Sequence, residues 1–577
     1  MTHTDRPGPG SVPPRWTWKA DGWRLGLVLL LAVTLRAYMI ANTTLVSRDC
    51  VKFVRFALHL ERPPAGQDRI DVIRTAEHPP AYPVAILAMS KVVRPLMGVP
   101  SGEATVESMA LSAQLVSALA GVLLFVPFYF LTRRVFEANT ACAAGLLFTA
   151  LPVCVEVTSD GISDGLYLLT AITALWFAVR ALEPDRPRSA FGFALGAGLC
   201  LGLGYLVRPD ALIALAGIGV TLLGLVSIRL YRRATWRPPF VAGLGLVLGF
   251  AVLMGPYVAL IGKLTNKPTG KGLIETFQGG DAQPSYFQRS SLNVGTVPLA
   301  SWHDPATDGK RSKAGWALES LAAEYWKTAH YSLVIFAAIG LFAIRRRFSD
   351  PRVALLLIFA LVYAVALWTL AWVAGYVSQR HTLPIALVSC VLGACAFPAL
   401  GVWAVQLWHT RTLARFGLRS FSLLAGRRRA RPVVRALRGA SPWFLAAIWT
   451  GLLLTPSLPR DLYSLHSERA GHKPAGQWIK KYSDPGIELI DPFGWAEWYA
   501  DRSLREWPVP QPYDGRPKYV VFEPNSKSPH SRLEWYEHAK KLTSDPGWSV
   551  EEKYKYPENA APDDVKVAVY LCTPVKK

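Results

Sequence analysis

Acidic residues are scarce in this chain of 577 residues: 41 Asp and Glu stand against 63 Lys and Arg, for a formal net charge of +22. Ionisable residues are scarcer still inside the long apolar stretches, where almost none lies near the middle. A coupled transporter usually needs such groups at mid-depth, so their absence argues against that class. Cysteine is sparse as well. Of seven, Cys142, Cys154, Cys200, Cys390 and Cys395 lie in or beside apolar stretches, where a small buried residue is the ordinary role, and no disulfide framework is indicated. Nor does the positive charge point to nucleic acid. Nine arginines, at 411, 415, 419, 427, 428, 429, 431, 435 and 438, crowd one loop without an acid, a pattern explained by membrane orientation and anionic lipid headgroups.

Apolar length is what the chain has in abundance. It is 51% hydrophobic with a mean hydropathy of +0.23, too apolar for a soluble multidomain protein. Windows of ~20 residues nearly free of charge read as membrane helices, and eleven are predicted, at 24–41, 108–131, 138–157, 162–182, 189–207, 210–229, 239–262, 331–345, 352–373, 382–407 and 440–457. The stretch 81–93 is short for a span and opens among Pro79, Pro80 and Pro83. If it does not cross, the basic segments at 133–134, 186–188, 229–233, 345–347 and 411–438 all fall on the side of the N-terminus, as the positive-inside rule requires. The expectation is therefore a multi-pass protein of the cell (plasma) membrane, N-terminus cytoplasmic, with 81–93 lying on or dipping into the outer leaflet.

Three units are expected: a disordered cytoplasmic N-terminus over 1–23, a transmembrane domain over 24–457 with outer loops 42–107 and 263–330, and an extracytoplasmic domain over 458–577. No internal repeat is visible. In the last unit, β-prone runs at 487–490, 519–522 and 565–571 alternate with helix-like stretches at 475–482, 495–504 and 532–542, which suggests a small α/β domain. It has no metal-type Cys/His spacing and no nucleophile motif, so packing or acceptor docking is its expected role.

Residues that can carry chemistry gather in the outer loops. Asp49 follows the first span closely, where a carboxylate can take a proton from a hydroxyl or hold a metal ion, and Arg48 and Lys52 are expected to keep it ionised. Arg36, inside the first span, is costly there unless paired or snorkelling and suggests a polar cavity under the same loop. The turn Thr158-Ser159-Asp160-Gly161-Ile162-Ser163-Asp164-Gly165 holds a second acidic pair, with Ser163 or Asp164 a good helix cap. Arg208-Pro209-Asp210 and Tyr376-Val377-Ser378-Gln379-Arg380-His381 place cations at two further outer turns. Arg there is suited to binding phosphate through its planar fork of donors, and a snorkelling anchor is the alternative for each.

In order and arrangement the first 400 or so residues resemble the GT-C glycosyltransferases, in particular the branch of protein O-mannosyltransferases and lipid A aminoarabinose transferases. Asp49, Lys52 and Phe53 match that family's acid, basic and aromatic positions after the first span. Glu77-His78-Pro79-Pro80-Ala81-Tyr82 matches its Pro-Pro turn, Asp164 its second acidic position and Arg380 its basic-aromatic outer turn. One departure is Cys50, where many members carry a second acid; this puts a two-carboxylate metal site in doubt and leaves a divalent metal requirement open. The resemblance implies an α-helical polytopic fold and an enzyme that moves a sugar from a polyprenyl-phosphate donor to a lipid, glycan or protein acceptor on the outer face, with inversion. Asp49 would be the general base, with Asp164 the other catalytic carboxylate, and Lys52, Glu77, His78, Tyr82, Arg208 and Arg380 would bind substrate. A non-enzymatic transporter or flippase of lipid-linked sugars also fits the spans and outer cations, and so does a lipid-linked glycan polymerase or ligase.

Overall fold

An apolar run in a bilayer must satisfy its backbone polar groups internally, which helices do. In the computed structural model, which describes residues 21–100, 102–183, 187–267, 300–302, 312–415, 449–502, 515–524 and 534–575, eight helices are long and apolar enough to cross a membrane. They comprise α1 (Trp23–Ala41), the pair α5 and α6 (Val106–Leu123, Phe125–Val135), α9 (Asp164–Ala181), α10 (Pro187–Val207), α11 (Ala211–Tyr231), α12 (Arg237–Ile261), α15 (Pro351–Ala374) and α16 (Leu383–Arg415). The protein is an integral, multi-pass membrane protein.

The other three predicted spans depart from expectation. The segment 138–157 breaks into α7 (Ala138–Thr149) and α8 (Pro152–Val157), because Pro152 has no amide hydrogen to continue the helix and instead starts a new one. The predicted span 331–345 is α14 (Ser332–Ala343), joined to α13 (Lys313–Thr328) at a bend of 96°; counting that pair as one broken span gives nine. The predicted span 440–457 is described only from residue 449, with helix over 449–454, and most of the arginine-rich loop before it lies outside the described residues. Between α1 and α5 run α2 (Arg48–Glu61), α3 (Arg69–Thr75) and α4 (Ala81–Leu96). At 16 residues, α4 is not among the helices able to cross.

The two ends of the bundle differ in chemistry. At one end Asp21 pairs with Arg133 at 2.6 Å, Arg134 pairs with Glu183, and Arg347 and Arg352 share Asp350. Arg347 also donates to the Val135 carbonyl at 2.6 Å. At the opposite end, where α9 begins and α1 finishes, lie α2, the Pro-Pro turn and the C-terminal domain.

That domain carries a four-stranded sheet in the order β3-β4-β6-β5, made of Glu488–Ile490, Lys518–Phe522, Val567–Pro574 and Trp548–Tyr556. The β3–β4 pairing is parallel and the others antiparallel. Helices α17 (His472–Tyr482), α18 (Trp495–Tyr499) and α19 (Glu534–Ser544) accompany it. Ala475, Ile479, Ala496, Val521, Val567 and Val569 form a core of its own. A further small sheet pairs β1 (Ala300–Trp302) antiparallel with β2 (Tyr376–Ser378), tying the long 263–330 loop to the Arg380 turn.

Candidate active site

The site is built from short connections at one end of the bundle. Ser47 caps α2 by accepting from the Cys50 amide at 3.2 Å, which fixes the first turn and places Asp49 where the helix dipole favours an anion. Asp68 and Asp71 form a capping box that starts α3. His78 and Pro79 each precede a proline and are therefore held out of the helical region, so the chain turns at Glu77-His78-Pro79-Pro80 before α4 begins. Phe53 of α2 packs on His78 and on Tyr82, with ring centroids 4.8 and 4.9 Å apart.

Across the site, the 379–382 turn is held by Thr328, which donates to the Gln379 carbonyl at 3.1 Å, and by Thr382, which donates to Thr328 at 2.7 Å. This turn delivers Arg380 to Asp49: Nη1 donates to Oδ2 at 2.8 Å across 331 residues of sequence. Arg208, at the α10–α11 junction, sits between Asp164 at 2.6 Å and Asp210 at 2.7 Å. Arg380 also lies within electrostatic reach of Asp164, so the two ion-pair groups adjoin. Lys52 faces Glu77 at 3.9 Å.

Burial works against ionisation here, and the neighbours decide the outcome. For Asp49, burial pushes the carboxyl up, yet Arg380 and Lys52 outweigh it and hold the group well below the usual carboxylate range. Arg48 lies within electrostatic reach of two carboxylates, Asp491 of the C-terminal domain first and Asp49 second. Asp210 is likewise held low, since Arg208 and Lys267 overcome its burial. His78 is driven well below its ordinary value by burial and then by Lys267 and Lys52, leaving a neutral ring whose Nε2 has no partner among the described residues.

Next to these charges opens a cavity of about 450 Å³. Asp164, Arg208, Asp210, Lys267, Arg380 and His381 line its polar end. Leu168, Leu212, Ile213, Leu367 and Leu370, from α9, α11 and α15, line the rest. Lys267 escapes a reading of the sequence because it lies in a long loop with no periodicity to single it out. The structure brings it within reach of Arg208, Asp210, Arg380 and Asp49, and its neighbour Asn266 fastens the loop by donating to the Arg74 and Ala76 carbonyls at 2.9 and 2.8 Å.

Three expected features turn out differently. Tyr82 is fully buried, its hydroxyl bonded to the Ala113 carbonyl and to Ser117, so its place is in the packing under the Pro-Pro turn and away from the cavity lining. Arg36 marks no cavity: its guanidinium donates to Thr158, to Thr149 and to the sulfur of Cys154 inside the helix packing. Ser163 stands at the N-cap of α9 but makes no side-chain capping bond, and the Asp164 carboxylate faces Arg208. Cys50 is fully buried and turned toward Gly161, away from Asp49. The charged neighbours of Asp49 are mainly cations, a poor donor set for a divalent metal, and no group of three metal-ligating side chains occurs among the described residues.

Residues 104–258 match the family model of dolichyl-phosphate-mannose-protein mannosyltransferases. No curated protein matches the chain in sequence. Among solved structures, ArnT from Cupriavidus metallidurans bound to undecaprenyl phosphate superposes with a TM-score of 0.53 at 16% identity, covering 95% of this chain and 98% of that one. The apo state of the same protein gives 0.51 at 16% identity, over 96% and 98%. The oligosaccharyltransferase of Archaeoglobus fulgidus aligns at 18% identity over 87% of this chain and 63% of its own, with a TM-score of 0.47. Over nearly its whole length this chain shares the GT-C fold of the ArnT structures.

Proposed function

We propose that the protein is a membrane glycosyltransferase that moves a sugar from a polyprenyl-phosphate donor to an acceptor hydroxyl at the outer face. The observation that carries this reading is the Asp49–Arg380 pair, at 2.8 Å, beside a cavity that joins Arg208, Lys267 and Arg380, with Asp164 and Asp210, to a largely leucine-lined remainder. A lipid phosphate has the same two-part character. Its phosphate suits Arg208, Lys267 and Arg380, and its chain suits the leucine-lined groove between α9, α11 and α15. The match to a dolichyl-phosphate-mannose-dependent family and the undecaprenyl phosphate held by ArnT support a donor of this class.

In the proposed reaction Asp49 takes the proton from the acceptor hydroxyl, whose oxygen attacks the anomeric carbon from the face opposite the phosphate. The bond from that carbon to the phosphate oxygen breaks, the polyprenyl phosphate leaves, and the cations stabilise the charge that develops on it. A single displacement of this kind inverts the anomeric centre. Asp49 tied to Arg380 is a weak base, because the ion pair favours its charged form. A bound phosphate competes for Arg380 and loosens that pair, which couples donor binding to the basicity of Asp49.

The test uses purified protein in lipid nanodiscs with polyprenyl-phosphate mannose as the probe donor, alongside mass analysis of membrane glycolipids and glycoproteins in cells with and without the protein. Donor-dependent release of polyprenyl phosphate, together with a glycan that disappears from the deficient cells, is the expected result. Undecaprenyl phosphate movement across the bilayer without any sugar transfer would overturn it.

A further inference from the structure

The C-terminal domain meets the membrane region at one place above all, the linker that joins α1 to α2. Trp495 Nε1 donates to the Val46 carbonyl at 2.8 Å, and the Val46 amide points to the Tyr499 hydroxyl at 3.4 Å. The Thr44 amide donates to the Leu465 carbonyl at 3.3 Å, and the Thr44 and Ser464 hydroxyls lie 2.7 Å apart. Ser464 also bonds the Asn42 carbonyl. One buried carboxylate joins both sides: Asp160 accepts from the Ser47 amide at 3.0 Å through Oδ1 and from His466 Nε2 at 3.0 Å through Oδ2.

Helix α2 is held by the same domain along one face. Arg48 is opposed by Asp491 and Arg55 by Glu497, and the Arg55 guanidinium lies over the Trp498 ring at 5.9 Å. Arg48 and Arg55 are seven residues apart and so share a side of the helix, from which Asp49 is turned by about 100°. Phe493, Trp495 and Trp498 pack in one core with Val46, Cys50 and Val51. One side of α2 is thus bound to the outer domain while the neighbouring side presents Asp49 to Arg380.

We propose that the outer domain is a positioning element for the reaction: the Asp160–His466 and Val46–Trp495 contacts fix the 42–47 linker so that α2 sets Asp49 against Arg380 and the cavity. His466 and Trp495 are then positioning residues that touch no substrate. The proposal rests on Asp49 acting as the base. His466 is charged under ordinary conditions. Burial pushes its imidazole down, but Asp160, with Glu156 and Glu468 nearby, outweighs that and raises it to about 9; Arg460 acts on Glu156 beside it.

Full-length protein in nanodiscs tests this with His466→Ala and Trp495→Phe, the second keeping an aromatic ring while removing the N–H together with part of the indole. Three quantities are read: hydrogen-exchange protection of residues 43–58, affinity for undecaprenyl phosphate, and kcat and KM for transfer from polyprenyl-phosphate mannose. Each variant should lose protection over 43–58 and lose kcat on the order of tenfold or more, since small misplacements of a catalytic group are costly, while undecaprenyl phosphate affinity holds. In the wild type kcat should fall as pH rises through about 9, and this limb should be missing from His466→Ala, which separates His466 from the nearby lysines. Active wild type with unchanged kcat in both variants defeats the positioning role alone, as does unchanged protection. A wild type that binds undecaprenyl phosphate but transfers to no acceptor defeats the functional reading and this proposal with it. If His466→Ala fails to fold, Trp495→Phe and the wild-type pH profile still decide.

Discussion

A carboxylate bound to a guanidinium 2.8 Å away is stable as an anion and reluctant as a base, and that tension governs how single residues of the site should respond to change. Asp49→Asn keeps size and most hydrogen bonding but accepts no proton. Transfer should fall by roughly two to four orders of magnitude, the usual range for losing a general base, with undecaprenyl phosphate binding retained; near-normal transfer by purified Asp49→Asn would remove Asp49 from the role and make Asp164 the next to test. The two arginines should part company. The Arg380 side chain is 19% exposed, so Arg380→Ala should impair donor use with little loss of folded protein. The Arg208 side chain is 7% exposed and serves two carboxylates, and removing one partner of a buried pair costs ~3–5 kcal/mol. Arg208→Ala should therefore lower thermal stability and expression together, and a stable but inactive Arg208→Ala would contradict that. Short motifs in sequence were enough to bring Asp49, Lys52, Glu77, His78, Asp164, Arg208 and Arg380 to attention. They could not reveal that Asp49 meets Arg380, or that Asp491 lies within electrostatic reach of Arg48, because those partners lie hundreds of residues apart. Lys267 stayed hidden for a related reason: its place is set by Asn266 and the carbonyls of Arg74 and Ala76, contacts that leave no periodic trace.

At the scale of elements, α2 depends on what packs beneath it. Gly161 follows Asp160 and adopts a left-handed backbone with φ of +72°, and a Cβ there would lie 2.7 Å from the Cys50 sulfur and 3.2 Å from the Ala113 Cβ. Gly161→Ala would combine a left-handed penalty of ~1–2 kcal/mol with overpacking of ~1–3 kcal/mol, and it would press on the face of α2 next to Asp49. Thermal unfolding should shift down measurably, and transfer should fall more than undecaprenyl phosphate binding; a variant of wild-type stability would show that the turn yields freely. Uninterrupted apolar helices were readable from sequence to within a few residues, since length and hydropathy alone define them. Breaks were not. Pro152 ends a span that averages as continuous, and the α13–α14 bend joins a mixed helix to an apolar one, so a window over 331–345 sees only half of it. Strand β5 was missed because Trp548–Tyr556 is largely exposed and alternates charged with aromatic residues, a pattern suited to a sheet edge but without an apolar run.

For the whole molecule, the distribution of charge predicts orientation. Arg133, Arg134, Arg347 and Arg352 gather with Asp21, Glu183 and Asp350 at the end of the bundle opposite Asp49 and Arg380. That clustering agrees with the positive-inside reading, in which basic connections stay in the cytoplasm. Cations at the other end call for a separate purpose, and Arg208 and Arg380 have one to offer there, since both line the cavity. A reporter inserted in the arginine-rich loop at 411–438 should therefore be cytoplasmic and one fused after Lys577 external, with reporters at 64–67 and 99–102 both external because α4 does not cross. The measurement is enzymatic activity of compartment-specific reporters in intact cells. Finding 411–438 and the C-terminus on one side would mean that the chain between them does not cross an odd number of times, and an external 411–438 loop with a cytoplasmic Asp49 would place the site where an outer-face acceptor cannot reach it. The lipid-phosphate reading would then need a donor presented from the cytoplasmic leaflet, and the cavity between α9, α11 and α15 would open to that leaflet instead.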